Sequence, residues 1–107
     1  MGLGALAWFI YKIQPIRMGV LVTGLKRSES RTVSAHFRYL KQLVDEGKVL
    51  LAGRTTNTDY SSFGIVIFKA RSEKEAADIV AMDPGVKNGV FRAELLPFRL
   101  ALLGKLH

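Results

Sequence analysis

Hydrophobic and polar positions follow two different periods along this chain, and the changes of period divide it into six predicted elements. Residues 8–14, WFIYKIQ, read as a strand, after which Pro15, Gly19 and Gly24 argue against continuous regular structure as far as residue 30. From 32 to 46 the apolar residues Val33, Phe37, Leu40 and Val44 recur at helical spacing, and Gly47 follows as a stop signal. KVLLAGRT (48–55) predicts a second strand. FGIVIFKA (63–70) predicts a third, whose near-continuous apolar run calls for burial on both faces. SEKEAADIVAMD (72–83) predicts a second helix, opened by a capping box of Ser72 and Glu75 and closed before Pro84. VFRAELLPFRLALL (90–103) predicts a long final strand, or one broken at Pro97.

Strand, helix, strand, strand, helix, strand is the order of an α+β, ferredoxin-like βαββαβ fold, in which two helices cover one face of an antiparallel sheet. The other face then needs a cover as well. Phe63, Ile65 and Ile67 line one side of the third strand and Val66 and Phe68 the other, yet no predicted element remains to lie on the second side. A second copy packed sheet to sheet across a twofold axis solves this, giving a homodimer with clefts between sheet, helices and partner. The alternative is a monomer that leaves an apolar patch in water.

Composition adds bounds. At 107 residues the chain makes one domain, 1–107, with residues 1–6 a candidate disordered N-terminal extension. It has no cysteine, so disulfides, thiolate nucleophiles and sulfur-rich metal sites are excluded, which fits a reducing cytoplasm. The formal charge of +7 favours acidic partners without naming one. The apolar start, MGLGALAWFIYKIQPIRMGVLV, is interrupted by Lys12, Gln14, Pro15 and Arg17 before it reaches the roughly 20 residues of a membrane span. It lacks a basic region ahead of its apolar stretch, and Leu6 stands where a myristoylation signal needs Ser or Thr. The expectation is a soluble, cytoplasmic protein without a membrane association.

Each predicted helix carries one ionisable residue on its inward stripe. His36 shares a stripe with Leu40 and Leu43, and Asp83 falls four residues after Ile79 and three after Val80. With both helices side by side on one sheet face, the two side chains can meet. A carboxylate beside an imidazole favours the protonated ring, fixes its tautomer and prepares it for general acid or base work. On periodicity alone the plainer reading is favoured, in which Asp83 caps the DPG turn and His36 is a satisfied half-buried side chain. Arg54, at a strand end after LLAG, is a candidate to bind the carboxylate or phenolate of a ligand, or else a solvated charge. Ser61 and Ser62 lack the G-x-S-x-G turn of a nucleophile elbow. Two histidines, His36 and His107, are too few for a three-histidine metal site within one chain. SSFGIVIF partly matches an RNA-recognition signature, but Ile65 stands where an aromatic would stack on a base and the basic residues are scattered, so nucleic acid is not an expected partner.

The pieces HFRYLKQLVDEGKVLLAG, FGIVIFKARSEKEAADIVAMDPGVKNGV and AELLPFRLALL resemble the YCII-related (YciI-like) family in order and spacing, over about residues 33–103. The resemblance implies a fold like that of the dimeric α+β barrel proteins related to muconolactone isomerase, and a His and Asp pair in a cleft, here His36 and Asp83. It also implies small-molecule chemistry, with one characterised relative removing chloride from a hydroxylated chloroaromatic compound. Two departures stand out. Gly85 replaces the larger apolar residue frequent in the family, which predicts a more open pocket wall near Asp83. The 16–30 segment is longer than in the shortest members and forms either a flap or an extension of the first strand. The resulting expectation is proton transfer by His36 and Asp83 on a small anionic or phenolic molecule, in an isomerisation or elimination that needs no cofactor. A ligand-binding or scaffolding dimer without turnover is the alternative.

Overall fold

The computed structural model describes residues 6–17 and 24–106. Four strands, β1 (Ala7–Pro15), β2 (Val49–Arg54), β3 (Gly64–Ala70) and β4 (Phe91–Phe98), form one antiparallel sheet in the order β2-β3-β1-β4. Helices α1 (Arg27–Asp45) and α2 (Glu73–Met82) cover one face, and a single turn, α3 (Pro84–Lys87), links α2 to β4. This is the predicted α+β, ferredoxin-like topology.

Strand periodicity builds the floor of the core. On β1 the alternate residues Phe9, Tyr11 and Ile13 point under the helices, opposite Phe68, Val66 and Gly64 of β3. The Tyr11 ring meets Phe68 edge-on, with centroids 5.7 Å apart. The roof is narrower than the apolar pattern predicts. His36, Leu40 and Leu43 are the buried residues of α1, whereas Phe37 is 67% exposed and Val44 is also exposed. The column that meets the sheet runs 36, 40, 43. Phe37 and Val44 lie on the neighbouring column, one residue round the helix.

Helix ends also differ from expectation. α1 starts at Arg27, five residues before the predicted Thr32, because Glu29 organises the first turn. Its carboxylate accepts from the Lys26 backbone N–H at 2.8 Å and from Arg17 at 2.5 and 3.0 Å. The Arg17 pair holds the Glu29 carboxyl down at about 2, with the Lys26 N–H as the second cause. The 16–30 segment therefore does not extend β1: the strand stops at Pro15 and residues 27–30 are helical, while residues 18–23 lie outside the described residues, as do residues 1–5 of the expected extension. At the other end Gly47 takes a left-handed φ of 77°, as a C-terminal glycine should. Ser72 caps α2 by accepting from the Glu75 N–H at 3.0 Å, but Glu75 returns its carboxylate to the backbone and guanidinium of Arg71 rather than to Ser72.

β4 runs through Pro97 and ends at Phe98, and residues 99–106 have no regular structure, so the final strand is neither broken at Pro97 nor as long as residue 103. Proline is tolerated there because β4 is an edge strand, hydrogen-bonded on one side only. The second face of the sheet carries Trp8, Ile10, Leu51, Ile65, Ile67, Leu96 and Phe98, and among the described residues no helix lies over it. Among the described residues no helix is long and apolar enough to cross a membrane.

Candidate active site

Three elements converge beneath α1. The inward alternation of β1 presents Tyr11, the buried column of α1 presents His36, and the end of α2 presents Asp83, all packed within the core. Asp83 is fully buried and His36 is 9% exposed. His36 Nδ1 lies 2.7 Å from Asp83 Oδ1 and 2.8 Å from Oδ2. The carboxylate also accepts from the Tyr11 hydroxyl at 2.8 Å and from the Gly85 N–H at 2.9 Å. A buried carboxylate is costly unless its lone pairs are met, and here three donors meet them. Because a carboxylate only accepts, Nδ1 is the ring nitrogen that carries the proton, which in the neutral ring leaves the lone pair on Nε2.

The cap and the pair are one arrangement. Asp83 ends α2 and its side chain caps α3 through Gly85, with Pro84 at the first position of that turn. The same carboxylate is thereby fixed in place to hold the imidazole. Two phenols respond to it. Burial, and then the Asp83 charge, push the Tyr11 hydroxyl far above its ordinary range, which favours the protonated phenol that donates to the carboxylate. Tyr39 is pushed up to about 12 by burial first and Asp83 second, and its hydroxyl donates to the Ile79 carbonyl at 2.6 Å, tying α1 to α2.

The wall near Asp83 is filled, in contrast to the open wall predicted from Gly85. The Phe91 ring occupies the space, since a Cβ at Gly85 would lie 2.5 Å from Phe91 Cδ2 and 2.8 Å from Cε2. That ring meets His36 edge-on at 5.1 Å between centroids.

Arg54 is not brought to this site. It borders a concavity of about 300 Å³ shaped by Leu51, Gly53, Thr55, Phe63 and Ile65, and among the described residues its guanidinium donates to the Thr55 carbonyl alone, at 3.5 Å. A second hollow of about 210 Å³ lies at Lys12, Gln14, Arg92, Ala93 and Glu94, also away from His36. Ser61 hydrogen-bonds to Asp59 and Asn57, and Ser62 to Thr55, so neither serine engages the histidine. Among the described residues no three potential metal ligands cluster, and His107 lies outside them. Tyr11 and Phe91 are the members of the site that the pattern of residues does not announce. Each is an aromatic on an alternating strand, where core packing is the ordinary explanation.

Residues 14–99 match the YCII-related domain. The chain belongs to the YCII-related family. No curated protein matches it. Among solved structures it is similar to 5-chloro-2-hydroxyhydroquinone dehydrochlorinase from Burkholderia phenoliruptrix, in complex with 2,5-dihydroxybenzoquinone. The TM-score is 0.62 at 22% identity, covering 87% of this chain and 95% of that one. It is also similar to an uncharacterized protein from Thermotoga maritima, with a TM-score of 0.58 at 9% identity over 89% of this chain and 100% of that one. At these identities the structural likenesses establish the α+β fold of this YCII-related chain and leave its chemistry to its own residues.

Proposed function

We propose that this YCII-related protein is a small-molecule enzyme in which His36 moves a proton and Asp83 orients the ring and stabilises its charge. The observation that carries this reading is the imidazole held at Nδ1 by both oxygens of a fully buried carboxylate, which is itself pinned by Tyr11 and Gly85. Such a ring is preorganised to use Nε2 as a base, and the ion pair with Asp83 stabilises the imidazolium that results. The substrate is a small anionic or phenolic molecule. In an elimination, Nε2 takes a proton, the electron pair of the broken bond forms the new double bond, and chloride leaves with its own bonding pair. In an isomerisation the imidazolium returns the proton to a different carbon. Either reaction balances without an oxidant or reductant. The dehydrochlorinase with its bound quinone supports this substrate class by likeness of fold. The working unit is a homodimer joined through the uncovered sheet face, and Arg54, at the end of β2 beside the hollow of Leu51, Gly53, Phe63 and Ile65, is the candidate to anchor an anionic ligand there rather than at the dyad.

The test is chloride release from 5-chloro-2-hydroxyhydroquinone, beside binding of 2,5-dihydroxybenzoquinone followed by its visible absorbance. His36→Gln should cut turnover by about a hundredfold or more, the ordinary worth of a general base, and Asp83→Asn should impair it through the orientation of the ring. Binding without turnover by the wild type supports the non-catalytic ligand-binding reading instead. Absence of both defeats the assignment of this substrate class.

A further inference from the structure

The geometry points to Phe91 as the residue that sets the size of molecule the His36 site accepts, an assignment that rests on the reading of His36 as the ligand site. Three observations lead there. First, the Phe91 ring is the aromatic in direct contact with the imidazole, edge-on at 5.1 Å, and it is half-buried, so one part faces the core and another the outside. A molecule that meets the imidazole on this side lies against the Phe91 ring. Second, the ring sits where the side chain of residue 85 would project. The Cβ that Gly85 lacks would fall 2.5 and 2.8 Å from two ring carbons, distances that no packed pair tolerates. The wall of the site is therefore supplied from β4 across the turn, and Gly85 is the seat that lets it lie there.

Third, the backbone beneath the ring is fixed while the ring itself retains its side-chain torsions. The Val90 N–H donates to the Gly85 carbonyl at 3.0 Å, the Ile16 N–H donates to the Val90 carbonyl at 2.9 Å, and Phe91 pairs with Pro15 at the start of the β1–β4 ladder. The wall can turn a ring but cannot retreat as a strand. A site closed in this way takes a planar molecule of one ring and refuses a fused second ring. Discrimination by filled volume of this kind is worth about ten- to two-hundredfold.

The experiment compares 2,5-dihydroxybenzoquinone with 2-hydroxy-1,4-naphthoquinone, using dissociation constants and melting temperatures for the wild type, Phe91→Leu, Phe91→Ala, Gly85→Ala and Phe91→Ala combined with Gly85→Ala. Wild type should favour the single ring by about tenfold or more. Phe91→Ala should erase or reverse that preference, with Phe91→Leu between the two. Gly85→Ala should lower the melting temperature in the wild-type background and much less in the Phe91→Ala background, because the clash then has no partner. Single-ring binding with selectivity unchanged across the Phe91 variants overturns the assignment of the wall and leaves the dyad standing. If neither quinone binds any variant, and the wild type also releases no chloride, the reading of His36 as the ligand site fails and the wall falls with it. Should Phe91→Ala not fold, Phe91→Leu and the wild type decide the selectivity.

Discussion

Asp83 takes on two tasks with one carboxylate, and Tyr11 makes that possible. A fully buried carboxylate with a neutral or transiently charged imidazole on one side needs donors on the other, and the Tyr11 phenol and Gly85 amide supply them. Tyr11→Phe removes one donor and leaves the shape, so it should destabilise the fold by about 1.5–3 kcal/mol, the usual worth of a hydrogen bond to a charged group, measured by urea unfolding. The phenol adds a pH dependence. In the unfolded chain it ionises near 10, whereas burial and then Asp83 raise it in the folded protein. Its stabilising contribution is therefore complete below about pH 10 and declines as pH rises beyond it, since the unfolded chain releases that proton at a lower pH than the folded one. Tyr11→Phe should flatten this alkaline loss of stability relative to the wild type. His36 and Asp83 stood out in the sequence as ionisable residues on apolar helical columns, and it was the family resemblance that paired them; the structure brings the two into contact. Tyr11 did not stand out, because an amphipathic ring on a strand packs like any other aromatic until its partner's position is known.

At the scale of elements, order and type could be read from the pattern, while boundaries and faces depended on contacts between residues distant in sequence. The first turn of α1 is an example. Nothing local marks Lys26 as a cap, and Arg17, twelve residues before Glu29, completes the arrangement. Glu29 ionises lower in the folded chain than in the unfolded one, so its contribution is present above about pH 4.5 and lost as pH falls toward 2. Glu29→Gln should lower the amide-exchange protection factors several-fold at Ser30 and Arg31 while leaving the later turns of α1 unchanged, and lowering the pH toward 2 should do the same to the wild type once the slower intrinsic exchange in acid is divided out. β2 gives a second example. A register shift between Val49 and Leu51 changes which residues share a face, so simple alternation along LLAGR could not say on which side Arg54 would work.

For the molecule as a whole, the uncovered sheet face is the feature that the apolar run of β3 already required. Leu51 and Leu96 sit on that face, about half exposed, at the two edge strands. They cost a lone chain little to change and are buried only in the proposed sheet-to-sheet dimer. Light scattering should return twice the chain mass of 11.9 kDa for the wild type. Leu96→Glu should weaken that assembly by about a hundredfold or more, because a buried unpaired carboxylate costs on the order of 3 kcal/mol. A wild type that stays at the mass of one chain at micromolar concentration would refute the dimer.

Gly85 and Phe91 also constrain how this protein can change over generations. A side chain added at position 85 displaces the aromatic ring at 91, because the two claim the same space. A lineage that enlarges residue 85 loses least stability by first passing through a smaller residue at 91, accepting for a time a site with neither wall. The two orders of substitution are thereby unequal, and the reverse order carries the cost of the clash.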